Sequence, residues 1–340
     1  MSIVKLENKL ATYFFKTKEI AEHFCKNDIV TLQFFQRHND VKLCGINEAI
    51  NLLKDKTDIT KYTIKYLKEG SIIHNREVVL ELEGPYYEFG LWEGMIDGIL
   101  ARQTSIATNA YRIVKAANNK PIVSMADRAD HYINSLNDIY ASRVGGITNF
   151  CTLEGADFDL EKSYGSMPHA LIQMFKGDIV KACEAYHETF PNSALYALVD
   201  FHNDVIFDSL ACLKRFGKDL KGVRIDTSKS MVDKMFKEGE AQFGVTPLQV
   251  KRLREALDKN NGKHVKIVVS SGFDAEKIKK FEKQKAPVDS YGVGEALLRI
   301  NIHFSADATR LNGIEIAKAG RKYLTNKNLV IYKGENLNEK

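Results

Sequence analysis

At 340 residues, with 44% hydrophobic and 27% charged side chains, the chain is long enough for two domains or for one barrel with an added lobe. Its net charge of +5, from 49 basic and 44 acidic residues spread along the chain, suits small acidic substrates and excludes a nucleic-acid footprint. No apolar run approaches the length of a membrane span, and the opening MSIVKLENKL lacks the apolar core of a secretory signal, so we expect no membrane association and a cytoplasmic protein. Five widely spaced cysteines (Cys25, Cys44, Cys151, Cys183 and Cys212) contain no CxxC pair, which fits packing thiols in a reducing compartment and argues against a zinc ribbon or a disulfide framework.

In chain order, Thr17–Asn27 is expected to be a helix, and Ala49–Leu53 and Tyr62–Leu67 are expected to be helical pieces. Ser71–Leu82 reads as a hairpin-like pair of strands around Asn75-Arg76, broken by Gly84-Pro85. A long helix follows from about Phe89 to Asn118, with Leu91, Met95, Ile99, Ile106, Ala110 and Ile113 at near-helical spacing. From about Lys120 short apolar runs alternate with helical patterns. The strand candidates are Pro121–Met125, Ser163–Gly165, Ala194–Val199, Gly222–Ile225, Val265–Val269 and Val288–Tyr291. The helix candidates are Ala129–Ser142, His169–Phe175, Asp178–Phe190, Val205–Phe216, Ser230–Gly239, Thr246–Lys259 and Asp274–Lys283. Such alternation argues for parallel βαβ units, hence a barrel or an open doubly wound sheet. The basic run Lys277–Lys285 reads as the solvated face of the last of these helices. Beyond Arg299, strands at Ile300–Phe304 and Ile314–Ala317 flank a turn at Leu311-Asn312-Gly313, read as a return to the first lobe.

The chemistry gathers at strand ends. Ser270-Ser271-Gly272 and Gly292-Val293-Gly294 are glycine loops at the carboxyl ends of apolar runs, and backbone amides of such loops make anion sites. Asp200 and Asp204 follow one strand. Arg224 and Asp226 lie two residues apart on one side of another. Gly165-Ser166-Met167-Pro168-His169 leads into a helix. Ser166 is expected to be its N-cap, with Pro168 in the first turn and His169 about three residues in, where the helix dipole favours neutral imidazole.

In this order the motifs resemble the nicotinate phosphoribosyltransferase family, and within it a short, archaeal-like branch. Tyr13-Phe14-Phe15-Lys16-Thr17 is similar to its YFxxT segment, with Ala11 where an aspartate is usual. Gly84-Pro85 and Ile99–Thr108 resemble its bridging helix. Asp127–His131 resembles FGxRRxH with the glycine and one arginine missing, and Gly145–Asn149 resembles a shortened GGxxGTSN. Gly165–His169 resembles GTMAH, Asp200 to Asp204 VDxxxD, Gly222–Thr227 GVRLDSG, and Ala317–Arg321 AKxGR. Ser270–Phe273 and Tyr291–Glu295 resemble its phosphate loops, with Glu295 in place of a threonine.

The resemblance implies an α/β fold of the type II phosphoribosyltransferase architecture, a (βα)-barrel-like domain plus an α+β sandwich lobe built from both chain ends. The corresponding domains are 1–118 as lobe and bridging helix, 119–298 as the catalytic barrel, and 299–340 as the returning segment. It implies condensation of nicotinate with 5-phosphoribosyl 1-pyrophosphate to nicotinate mononucleotide and pyrophosphate, with coupled ATP hydrolysis, in NAD biosynthesis and salvage. His169 matches the histidine phosphorylated from ATP. Tyr13, Ser166 and Arg224 match nicotinate contacts, and Arg128, Ser271, Gly272, Gly292, Gly294 and Glu295 match the phosphoribosyl pyrophosphate site. Asp200 and Asp226 suit ribose hydroxyls, or Mg2+ through water; Arg224 offers a fork to the pyridine carboxylate, and Tyr13 an aromatic face. A homodimer with shared active sites is implied as well. Two other readings stay open: quinolinate phosphoribosyltransferase, for which basic residues and a TRK-type triplet are lacking, and an inactive phosphosugar- or nucleotide-binding homologue, to which Ala11 and Glu295 point.

Overall fold

A computed structural model describes residues 5–334 except Ser166 and Ala241. The chain forms two compact units, Met1–Thr108 with Ile300–Lys340, and Asn109–Arg299.

The first unit opens with helix α1 (Thr12–Phe24), which starts five residues before the expected Thr17. Ala11 is its cap residue and makes no side-chain cap bond. An aspartate there would satisfy one of the free amides of the first turn. Strand β1 (Ile29–Phe35), the short β2 (Val41–Lys42) and helix α2 (Ile46–Lys56) follow. Tyr62–Leu67 is not helical. Thr63–Tyr66 forms strand β3 with Ile64 and Tyr66 buried, a period-2 pattern that pairing with neighbouring strands exploits. The expected hairpin also divides. Ile72–Ile73 (β4) pairs with β2, whereas Val78–Pro85 (β5) pairs with β1 and β3. With Val78 to Leu82 buried in succession, β5 is covered on both faces and takes a central place. A short helix α3 (Tyr86–Phe89) leads to the long α4 (Glu93–Ala116), which carries the chain into the second unit.

The second unit alternates strands and helices: β6 (Ile122–Ser124), α5 (Ser135–Val144), β7 (Asn149–Phe150), α6 (His169–Met174), α7 (Ile179–Thr189), β8 (Leu195–Leu198), α8 (Val205–Phe216), β9 (Leu220–Ile225), α9 (Pro247–Lys259), β10 (Lys266–Val269), α10 (Ala275–Lys283) and β11 (Ser290–Val293). All pairings in this sheet are parallel and the strand order is β7-β6-β11-β10-β9-β8. Its first strand therefore bonds to its last, as in a barrel, and the ring stays open between β7 and β8. Ser163–Gly165 is not a strand; the second strand is Asn149–Phe150, and the chain from 151 to 194 crosses the open seam. Ser230–Gly239 forms turns rather than a helix, with a bridge between Val232 and Phe243, and α5 begins six residues after the expected Ala129. Aspartates cap α7, α8 and α10 through Asp178, Asp204 and Asp274, each accepting an amide of the first turn. The core is built from Ala197, Val223, Ile225, Ile267, Val269 and Val293 of the strands, against apolar faces of the helices.

Back in the first unit, β12 (Ser305–Leu311) replaces the expected strand at Ile300–Phe304, and β13 (Val330–Ile331) completes the sheet β12-β1-β5-β3-β13. Ile314 contributes only a bridge to Leu311 across the Asn312-Gly313 turn, where both residues have positive φ. No described helix is long and apolar enough to cross a membrane.

Asp97, on α4 one turn after Glu93, has a buried Oδ1 with no hydrogen-bond partner among the described residues. Burial, with Glu93 and Asp307 beside it, pushes its carboxyl up from 3.8 to about 7. The folded state thus holds a proton that the unfolded chain has released. The stability this represents is complete below about pH 3.8 and is lost as pH rises through about 7. Asp97→Asn should remove that loss. The difference in Tm between variant and wild type should grow in favour of the variant from about pH 3.8 to about pH 7 and level off above; a flat difference would mean that folding does not shift the Asp97 carboxyl.

Candidate active site

Because all six strands of the second unit run parallel, their carboxyl ends lie on one side, and the register decides which residues meet there. Leu198 is opposite Arg224, Arg224 opposite Val268, and Val268 opposite Ser290. Side chains repeat every second residue along a strand. Two residues further on, Asp200, Asp226, Ser270 and Gly292 therefore fall on one layer. Contacts bear this out: Ser270 Oγ donates to Asp226 Oδ1 at 2.6 Å, and a Cβ on Gly292 would stand 3.1 Å from the Ser270 Cβ.

Arg224 occupies the layer below. One guanidinium nitrogen, Nη2, donates to the Met167 carbonyl at 3.1 Å, and its Nε is buried with no partner among the described residues. A buried guanidinium donor left open costs free energy unless a ligand takes it. Ser166, the expected companion of Arg224, lies outside the described residues; its neighbour Met167 is buried.

His169 Nε2 lies 3.1 Å from Asp200 Oδ1. Asp200 is 7% exposed. Burial raises its carboxyl above the usual range, His169 pulls it back, and Asp226 adds to the rise. The expected helix-dipole arrangement does not form. Pro168, not Ser166, is the cap residue of α6 and makes no side-chain bond, His169 is the first helical residue, and the helix has six residues. Asp200 is what orients the imidazole, whose side chain is 45% exposed.

The two glycine loops differ in kind. Ser271 and Gly272 both have positive φ, 75° and 65°, and a Cβ on Gly272 would meet nothing within 4 Å. Gly292 and Gly294 are packed instead, their added Cβ atoms lying 2.6 Å from Met125 Sδ and 2.8 Å from the Met125 carbonyl oxygen. Glu295 turns outward, with its side chain 80% exposed and paired with Arg299 at 3.3 Å, so its charge is spent on a neighbour four residues on. Arg128 stands exposed on the loop after β6. Tyr13 belongs to the first unit, on α1, 62% exposed. Of the foreseen acids, Asp200 and Asp226 share the layer while Asp204 caps α8, and among the described residues no cluster of three or more His, Cys, Asp or Glu side chains is arranged to hold a metal ion.

Two features escaped the sequence. His202 Nδ1 lies 3.3 Å from both carboxylate oxygens of the buried Asp208; the six-residue spacing across a helix start gives no periodic signal. Lys277, read as part of a solvated face, is half-buried. Its Nζ donates to the Ser271 carbonyl at 3.0 Å and sits 4.2 Å from the centre of the Phe273 ring, whereas Lys279, Lys280, Lys283 and Lys285 are exposed as expected.

The family described as quinolinate phosphoribosyl transferase, N-terminal domain, matches residues 12–104. A nicotinate phosphoribosyltransferase of Mycobacterium tuberculosis is 26% identical over 238 residues, 68% of this chain and 47% of that protein. One from Bacillus subtilis is 26% identical over 239 residues, 68% of this chain and 45% of its own length. The chain is a relative of the nicotinate phosphoribosyltransferases. It spans about half the length of the curated relatives it matches. Among solved structures, the nicotinate-nucleotide pyrophosphorylase from Pyrococcus furiosus superposes with a TM-score of 0.82 at 29% identity, covering 98% of this chain and 86% of that one. Human nicotinic acid phosphoribosyltransferase superposes with a TM-score of 0.70 at 16% identity, covering 91% and 76%. The fold is thus the expected type II phosphoribosyltransferase architecture, with its barrel-like α/β sheet.

In this phosphoribosyltransferase relative, the packed glycines make a testable distinction. Gly292→Ala and Gly294→Ala should each cost about 1–3 kcal/mol of stability through overpacking. Met125→Ala should relieve most of the cost at Gly292, where the obstacle is the end of a side chain, and little of it at Gly294, where the obstacle is backbone. Denaturant titration of the single and double variants reads the coupling, and equal relief at both positions would contradict the packing described.

Proposed function

We propose that the protein is a nicotinate phosphoribosyltransferase, condensing nicotinate with 5-phosphoribosyl 1-pyrophosphate to nicotinate mononucleotide and pyrophosphate, with ATP hydrolysis coupled through His169, in cytoplasmic NAD salvage. The observation that carries the reading is Arg224: a guanidinium at a strand's carboxyl end, with a buried Nε left without a partner, one layer below Asp200 and Asp226. A pyridine carboxylate supplies the acceptor that this donor lacks. The sequence likeness to named nicotinate phosphoribosyltransferases supports the same choice.

In the reaction the pyridine nitrogen attacks C1 of the ribose as the bond to pyrophosphate breaks, so positive charge develops on the sugar ring and negative charge on the leaving group. Catalysis of this kind is positional and electrostatic. Asp200 and Asp226 present oxygen acceptors to the ribose hydroxyls on the face where the ring becomes cationic. Ser271 and Gly272 bind the 5′-phosphate through backbone amides, with Gly292 and Gly294 keeping the neighbouring strand end low. Arg128 approaches the pyrophosphate from the loop after β6. Alternatively to the ribose hydroxyls, Asp200 and Asp226 would hold a Mg2+ that keeps several of its waters, and such an ion would supply charge neutralisation at the leaving group. His169 donates its Nε2 hydrogen to Asp200, which leaves Nδ1 with the free lone pair that attacks the γ-phosphorus of ATP, forming the N–P bond as ADP departs. Tyr13 of one copy serves the site of another in a homodimer. The exposed stripe of Tyr13, Ile20 and Phe24 along one face of α1 supports such a contact.

A second reading, quinolinate phosphoribosyltransferase, is favoured by the family match over residues 12–104. Pyrophosphate release with nicotinate, nicotinamide and quinolinate, each with and without ATP, separates the readings. Nicotinate should be preferred and ATP should stimulate. Preference for quinolinate would sink the proposal, and binding of phosphoribosyl pyrophosphate without any turnover would mark an inactive homologue.

Two variants test the roles. Arg224→Gln should shrink the preference for nicotinate over nicotinamide by roughly thirty- to a hundredfold in kcat/KM, the scale of one charge-assisted contact in a desolvated pocket; an unchanged ratio would place specificity elsewhere. His169→Ala should abolish acid-labile phosphate incorporation from γ-labelled ATP while leaving a residue of ATP-independent transfer, and labelling that persists would exclude His169 as the acceptor.

A further inference from the structure

Ser271 is a non-glycine residue at φ 75°, followed by Gly272 at 65°. Left-handed backbone is unfavourable for serine and persists only where the surroundings hold it. On one side the hold is visible at Ser270, whose amide donates to the Ile225 carbonyl at 2.9 Å and whose hydroxyl donates to Asp226 at 2.6 Å. These bonds tie the loop to β9. On the other side Lys277 Nζ donates to the carbonyl of Ser271 itself at 3.0 Å.

Lys277 is in turn fixed by its surroundings. Its amide donates to the capping carboxylate of Asp274 at 2.8 Å, and its ammonium rests 4.2 Å from the Phe273 ring centre. Phe273 is 2% exposed and packs edge-on against Phe281, so the platform beneath the lysine is part of the core. Burial lowers the Lys277 ammonium below the usual lysine range, which Asp274 counters.

We propose that Lys277 is the positioning residue of the Ser270–Gly272 loop: its ammonium, braced on Phe273, holds Ser271 in the left-handed conformation and so fixes the amides that receive the phosphate of a phosphosugar. The inference rests on the reading of this loop as the 5′-phosphate grip. Lys277 acts through the Ser271 carbonyl rather than on the reacting atoms. Glycine at 271 needs no such hold, because it adopts positive φ freely, and this makes the role separable from a direct charge on the ligand.

The experiment is a double-mutant cycle read by calorimetric titration with ribose 5-phosphate and by the KM and kcat for phosphoribosyl pyrophosphate. Lys277→Met should weaken ribose 5-phosphate binding roughly tenfold, the scale of populating a strained residue without its brace, and should raise KM more than it lowers kcat. In a Ser271→Gly background the same change should cost less than about threefold. Equal losses in both backgrounds would show that Lys277 acts as a charge on the ligand, and an affinity within about twofold of wild type would show that it does not act on the loop; either overturns the proposal. Should Lys277→Met fail to fold, Lys277→Gln is read in the same cycle by the same criteria. If the unaltered protein binds neither ribose 5-phosphate nor phosphoribosyl pyrophosphate, the functional reading falls and this inference with it. If it binds them and the cycle fails, only this inference falls.

Discussion

The candidate site depends on parallel register. Pairing of β6 with β11 joins the first strand of the second unit to its last, so the six carboxyl ends face one way and the residues two positions past Leu198, Arg224, Val268 and Ser290 share a layer. A slip of one residue in any pair would turn its side chains to the other face. Asp200 or Asp226 would then be driven into the helical layer, where nothing solvates a carboxylate. The apolar residues of β8, β9 and β10 that fill the core are therefore also what aims the acids.

Two carboxylates on one layer repel, and burial makes the repulsion worse. The structure answers with a partner for each: His169 for Asp200 and the Ser270 hydroxyl for Asp226. The second bond also ties the glycine loop to the acid beside it, so the loop and the carboxylate cannot move independently. Arg224 is treated differently. One donor is tied to the Met167 carbonyl and another is left open, an arrangement that costs stability in the free protein and suits a group whose partner arrives with a ligand.

The open seam between β7 and β8 matters for the same reason. A strand there would complete the ring and occupy the place where residues 151–194 cross. Instead that stretch brings Met167 to Arg224 and His169 to Asp200, so a segment without strand structure supplies groups that a rigid strand would hold at fixed spacing. On the opposite flank Gly292 and Gly294 let Met125 lie against the strand end. The tight packing there contrasts with the space beside Gly272.

Much of the second unit was legible in the chain. Alternating apolar runs and capped helices located β6, β8, β9 and β10 and helices α7 to α10 to within a residue or two, since each carries its own signals: β-branched runs, or an aspartate or threonine cap before an amphipathic stretch. The first lobe was harder. Tyr62–Leu67, expected to be helical, becomes β3 between β5 and β13, as its β-branched and aromatic residues favour, and Ile72–Ile73 pairs with β2 rather than with its neighbour in sequence. Strand-end motifs such as Val199-Asp200 and Arg224-Ile225-Asp226 could be recognised as chemistry from residue types alone. Which of them meet could not, because that follows from register between strands whose paired residues lie 22 to 44 positions apart. The sequence by itself determined most elements of the second unit and the kinds of functional group at their ends, both being local properties of the chain. Only the tertiary structure decided that Asp200 takes His169, that Ser270 takes Asp226, and that Lys277, one lysine among several on its helix, leaves the solvent to hold Ser271, because each of these is a long-range or side-chain-packing choice that no local pattern encodes.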